Sequence, residues 1–292
     1  MRTTGIVTDS HSSISQGEAE KLGIFVLPMP FYMNGTCYYE GINITREEFL
    51  DRLCRLEDIS TSQPSPEAVM ELWDKALSQY KDILYIPISS GLSGSCQTAM
   101  MLADEYDGRV QVVDNHRISV TQKESVISAL RLVEQGYDAG QIRDFLEKHA
   151  YDASIYITVD SMEYLKKGGR VTPAAATLAT VLNLKPVLTI QGDKLDAFAK
   201  VRGMKLAESK MIEAIHQDRA ERFKDVPESR LLIETAGTLE NGELAEHWRQ
   251  QVQAEFPFAK VSYANLPCSI ACHLGMNSVA TVIMTEEVQR AD

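Results

Sequence analysis

Apolar positions along the chain alternate between a two-residue and a 3.6-residue period, and each switch marks an element. TGIVTD is a short β-rich run. Asp9, Ser10, Ser12 and Ser13 follow as polar caps, and ISQGEAEKLG reads as a short helix stopped at Gly23. IFVLPMPFYM is extended, and its two prolines mark an edge or irregular strand. Asn34-Gly35 predicts a hairpin with TCYYEG as the returning strand. Thr45 caps REEFLDRLCRL, which carries acids in its first turn. Ser65, Pro66 and Glu67 open a helix that runs to about Tyr80. The strand DILYIPI, the helix SCQTAMMLADEY and the strand RVQVVDN follow, then helices over roughly 119–135 and 138–149. This alternation predicts βαβ units and a parallel sheet.

From about residue 152 the pattern restarts. SIYITVD is a strand, and SMEYLKKGGR is a short helix with a basic glycine turn. TPAAATLATVLN is a helix of small residues, either buried core or the wall of an apolar tunnel. LKPVLTIQGDKLDAFAKV is a hairpin around Gly192-Asp193. Helices follow over about 203–222 and 239–254, with RLLIETAG between them. AKVSYANLP and SVATVIMT read as closing strands. The pattern predicts two α/β domains, 1–152 and 153–292, the first a Rossmann-like parallel-sheet domain.

The 292 residues are 44% hydrophobic and 24% charged, enough apolar material for a full core. The net charge of −12 argues against nucleic acid as a partner but leaves room for a small anion in a local pocket. The five cysteines form no CxxC pair, and Cys268-x-x-x-Cys272 beside His273 lacks a second ligand pair, so no metal site is expected. The N-terminus lacks a signal-peptide apolar region and no apolar run approaches a membrane span, so a cytoplasmic protein with reduced thiols is expected.

The chemistry concentrates in PISSGLSGSCQTA, residues 87–99, a glycine and serine loop between a strand and a helix. No GxGxxG or Walker motif is present. GLSGS resembles a nucleophile elbow, but Ser95 stands where GxSxG needs glycine. His273 could serve as a base, yet no acid stands out to complete a triad. A lipid or ester hydrolase with Ser93 as nucleophile is therefore the competing reading. The stronger one is binding. A loop feeding a helix N-terminus offers free N–H groups and the positive dipole end to a carboxylate or phosphate, and Ser93 and Ser95 add hydroxyls. Thr61 and Ser62 also precede a helix, and two hydroxyl-bearing helix starts outside the strand ends could converge on one anion. Arg170, Arg202 and His273 are candidate positive partners, and Lys185 needs a partner if buried.

TDSHSSIS, TSQPSP at 61–66, SSGLSGSCQTA at 89–99, LKKGGRVTPAAA at 165–176, LNLKPVL at 182–188 and KVRGMKLA at 200–207 occur in the order seen in the DegV family of bacterial fatty-acid-binding proteins. The chain resembles that family over nearly its whole length. The resemblance implies a two-domain fold with a long-chain fatty acid bound between the domains and its tail in a tunnel of the C-terminal one. It implies no catalytic residue and no cofactor besides the bound lipid. The carboxylate would lie at Thr61 or Ser62 and at Ser93, with the N–H groups of Ser93, Gly94 and Ser95 nearby. Arg170 and His273 would complete the head-group network, and Arg202 would face a partner. That partner would be a separate fatty acid kinase, which makes an acyl phosphate for phospholipid synthesis. Transient membrane contact is compatible with this role. One departure stands out. The family usually reads His-x-Gly-Pro-Gly near the C-terminus, whereas this chain reads HLGMN, with Met276 and Asn277 replacing Pro-Gly.

Overall fold

In the computed structural model, which describes residues 3–55, 57–177 and 184–289, the first part of the chain builds a parallel sheet. Its elements are β1 (Thr4–Asp9), α1 (Gln16–Leu22), β2 (Phe25–Leu27), β3 (Phe31–Met33), β4 (Thr36–Tyr38), α2 (Arg46–Cys54), β5 (Ile59–Thr61), α3 (Pro66–Leu77), β6 (Asp82–Ile86), α4 (Ser95–Ala103), β7 (Val110–Val112), α5 (Val120–Glu134) and α6 (Ala139–Lys148). Strands run in the order β2-β1-β6-β7, all parallel. Both faces are covered, as parallel sheets require. Ile6, Leu84 and Ile86 pack on one side with Val126, Leu130 and Ile142 of α5 and α6. Val7, Ile83 and Tyr85 pack on the other with Trp73 of α3 and Cys96 of α4.

The extended run over residues 24–33 is two strands rather than one. Pro28 and Pro30 interrupt it, so β2 edges the parallel sheet while β3 joins the antiparallel order β4-β3-β5. Asn34 and Gly35 turn β3 into β4, both at positive φ, 50° and 78°.

The rest comprises β8 (Ala153–Thr158), α7 (Glu163–Gly168), α8 (Pro173–Thr177), β9 (Leu184–Ile190), β10 (Asp196–Arg202), α9 (Met204–Glu221), β11 (Leu231–Gly237), α10 (Gly242–Glu255), β12 (Ser262–Asn265), α11 (Cys268–Leu274) and β13 (Val279–Thr285). These strands form one sheet in the order β10-β9-β8-β13-β11-β12. Only β11 and β12 pair in parallel, and the other neighbours are antiparallel. The β9–β10 hairpin and the return of β13 between β8 and β11 set those directions. Of the small-residue helix, Pro173–Thr177 is seen, and its remainder, 178–183, lies outside the described residues.

The six-stranded sheet has two distinct faces. Tyr156, Val279 and Ile283 pack against Met211 of α9 and Trp248 of α10. Ile155, Ile157, Ala280 and Val282 face the other way, in one cluster with Ile88, Leu92, Ile118 and Val120 from the parallel-sheet part. The two parts also touch polar to polar. Ser89 Oγ donates to the Gly192 carbonyl, and Gly91 packs directly on Asp193. At the C-terminal end Arg117 pairs with Glu287, and Val288 joins the core beneath the parallel sheet.

Candidate functional site: an apolar cavity with a cationic mouth

The inner face of the six-stranded sheet and the segments that follow β1, β6 and β7 enclose a cavity of about 950 Å³, counting its open mouth. It lies at the strand ends where open α/β sheets bind ligands. Much of its wall is the shared apolar cluster, including Ile155, Ile157, Ile190, Ala280 and Val282. The titratable residues among the described lining are His11, Arg170 and His273; it holds no carboxylate and no lysine.

Thr61, the last residue of β5, places its Oγ1 2.9 Å from Nε2 of His273 on α11. Arg170 follows α7 and Gly169, and its guanidinium donates to the carbonyls of Leu92 and Gly168, which aims it beside Ser93. Arg170 has no carboxylate partner among the described residues. Burial, then Arg170, then His11 push the His273 imidazole down to about 4, so the ring is neutral at pH 7. Arg170 is then the permanent charge of the lining.

Of the residues singled out from the sequence, Thr61, Ser62, Ser93, Arg170 and His273 line this cavity, while Gly94, Ser95 and Arg202 do not. Ser93 Oγ lies 3.0 Å from Ser95 Oγ and accepts from the Ser95 N–H at 3.2 Å, so it also tethers the start of α4. The Ser93 N–H donates to the Ser89 carbonyl at 3.1 Å. Two of the three N–H groups expected to be free, 93 and 95, are thus engaged, which leaves that of Gly94. Ser62 is exposed and donates to the Gln63 carbonyl at 3.0 Å, so Thr61 is the better placed hydroxyl of the pair. Thr61 and Ser62 are also not a helix start. Ser65 caps α3, and Thr61 belongs to a strand. The two loops meet nonetheless, because Thr98 Oγ1 on α4 donates to Gln63 Oε1 at 3.0 Å. No histidine or carboxylate is hydrogen-bonded to Ser93 among the described residues, so its hydroxyl has no base in contact. Arg202 is exposed at the end of the edge strand β10. Lys185 is paired with Asp160.

Other residues of the site escaped the sequence reading. The N-terminus of the 15-residue helix α5 reaches the cavity through Ser119 and Val120, with no side-chain cap of its own. Ser119 sits at φ 56°, ψ −131°, held by its N–H to the His11 carbonyl and by its Oγ, 3.0 Å from Ser13 Oγ. His11 is itself positioned by the buried Asp9, which accepts from the His11 and Ile88 N–H groups at 2.9 and 2.8 Å and so ties β1 to β6. The stretch TDSHSSIS signalled this loop, but nothing in it assigns His11 to a lining. Ser269 on α11 also lines the cavity.

The departure in HLGMN is absorbed by backbone conformation. Asn277 adopts φ 57°, a left-handed position that asparagine tolerates better than most non-glycine residues. Gly275 keeps φ 74°, and its carbonyl accepts from Thr238 Oγ1 at 2.7 Å. A side chain at Gly275 would run into Tyr164, whose ring carbon lies 2.6 Å from the Cβ position.

Among the described residues, no group of three or more histidines, cysteines or acids is arranged to hold a metal ion, and no helix is long and apolar enough to cross a membrane.

Known proteins supply a frame for this geometry. The model of a family described as uncharacterised protein, DegV family, matches residues 3–286. A DegV domain-containing protein of Deinococcus radiodurans is 33% identical over 213 residues, 73% of this chain and 76% of its own length. A solved DegV family protein from Thermus thermophilus, described for its fatty acid binding, superimposes with a TM-score of 0.85 at 31% identity, covering 98% of this chain and 100% of that one. A stearic-acid-binding protein from Eubacterium ventriosum shares the fold, with a TM-score of 0.87 at 22% identity over 98% of this chain and 99% of its own.

Proposed function

From the premise that this chain belongs to the DegV family, we propose that it binds a long-chain fatty acid and presents its carboxylate to a separate fatty acid kinase. The observation that carries the reading is the lining itself. An apolar wall from the six-stranded sheet and the segments after β6 and β7 meets a polar mouth with one permanent cation, several hydroxyls and no carboxylate among the described residues.

In this reading the residues up to 152 supply the head-group loops and the rest encloses the tail. Thr61 and Ser93 donate their hydroxyls to the carboxylate, and the Gly94 N–H and the α5 N-terminus add positive potential. Arg170 balances the charge. The neutral His273 orients Thr61. Charge-assisted hydrogen bonds contribute about 1.5–3 kcal/mol each, while the tail contributes about 0.8 kcal/mol per buried CH₂. Retention therefore depends on the tail and presentation on the mouth. Arg202, outside the cavity, is assigned to the kinase-facing surface. The role is that of a cytoplasmic carrier with transient membrane contact, without a cofactor or catalytic step of its own.

The test is reconstitution with a partner kinase, ATP and palmitate, trapping acyl phosphate with hydroxylamine. The proposal expects hydroxamate with the wild type and a strong reduction with Thr61→Val. Equal yields from the two would defeat the presentation role.

A further inference from the structure

Ser269 is a polar group of the cavity for which a plain fatty acid tail has no use. It lines the cavity on α11 and is 4% exposed. Its neighbours Leu266 and Ile270, also in the lining, are apolar. Ser269 is the second residue of α11, and its hydroxyl has no hydrogen-bond partner among the described residues. A buried hydroxyl left unmet is unfavourable, and a ligand oxygen beside it removes the penalty.

The position narrows what that oxygen is. Ser269 and His273 are four residues apart on one helix face, about 6 Å along the axis. His273 marks the carboxylate end through its contact with Thr61. A hydroxyl on the third carbon of an acyl chain lies close enough to the carboxylate for a hydrogen bond from it to span that rise. An oxygen far down the tail does not.

We infer that Ser269 makes this cavity selective for acyl chains oxygenated near the carboxylate, with 3-hydroxy fatty acids as the matching class. The inference rests on the fatty acid reading and adds a specificity determinant to it.

Competition binding on the delipidated protein tests it, using palmitate, 3-hydroxypalmitate, stearate and 12-hydroxystearate with the wild type, Ser269→Ala and Ser269→Val. One hydrogen bond corresponds to about 2- to 12-fold in affinity. The wild type is expected to hold 3-hydroxypalmitate against palmitate by that factor more than either variant does. Palmitate binding should survive in Ser269→Ala, which also reports that the variant is folded. The 12-hydroxystearate to stearate ratio should be the same in all three proteins. An unchanged 3-hydroxypalmitate to palmitate ratio, or an equal loss of both ligands in Ser269→Ala, overturns the inference and leaves fatty acid binding standing. Failure of the wild type to bind any of the four acids takes down both.

Discussion

Gly168 abuts the Nδ1 edge of the His273 ring. A Cβ at Gly168 would stand 3.0 Å from Cε1 and 3.2 Å from Cγ of that ring, and closer still to Nδ1. The absence of a side chain at Gly168 therefore gives His273 the room to reach Thr61. Gly168→Ala is expected to push the imidazole aside and break the 2.9 Å contact with Thr61 Oγ1. Fatty acid affinity should fall about 10-fold, the worth of roughly one hydrogen bond plus overpacking strain. Isothermal titration with a fatty acid measures it, and an unchanged Kd would show that the ring position does not matter.

Thr61→Val keeps shape and volume while removing the hydroxyl. The account expects palmitate affinity to drop by about 10- to 150-fold, the range for a hydrogen bond to a charged group. Ser93→Ala should show a similar loss and, because Ser93 Oγ also accepts from the Ser95 N–H, a lower Tm. Thr61→Val loses its 2.9 Å contact with His273 Nε2 and should lower Tm as well. Competition binding and thermal melts measure both effects in each variant.

Arg170 is the permanent charge of the described lining, so its contribution depends on the ligand being an anion. Arg170→Gln should weaken palmitate by about 10-fold or more while leaving hexadecanol within about 2-fold. Equal losses for acid and alcohol would mean that the guanidinium acts through packing and its contacts to Leu92 and Gly168.

His273 should be visible as a pH-dependent group. Its folded-state value is depressed to about 4 from an ordinary 6.5. Between these values the unfolded chain binds a proton that the native ring refuses, so this residue's contribution to stability is lost as pH falls from about 6.5 to 4. A bound carboxylate favours the imidazolium and should raise the value by one unit or more. NMR titration of the histidine ring with and without palmitate reads this directly. A value that stays put on lipid binding would place the carboxylate elsewhere.

Much of the scaffold could be read from local signals. Asn34-Gly35 announces its turn because few residues accept positive φ, and Ser65-Pro66 announces the start of α3 because capping is local. Thr61, Ser93, Arg170 and His273 were legible as candidates by their motifs. What placed them together was not, since β5, the loop before α4, the turn after α7 and α11 come from distant parts of the chain. The α5 N-terminus, His11 and Ser269 join the site through tertiary packing, which leaves no periodic mark. The strand directions of the second sheet were not legible for a similar reason. Strand direction depends on where β13 inserts, and residues 279–285 look alike in either orientation.

The central claim is that the cavity holds a fatty acid. The most direct measurement is mass spectrometry of whatever is released on denaturing protein purified without added lipid, quantified against protein. The account predicts close to one equivalent of long-chain fatty acid per chain. A protein that releases none, and that takes up neither palmitate nor oleate when these are supplied, would contradict it.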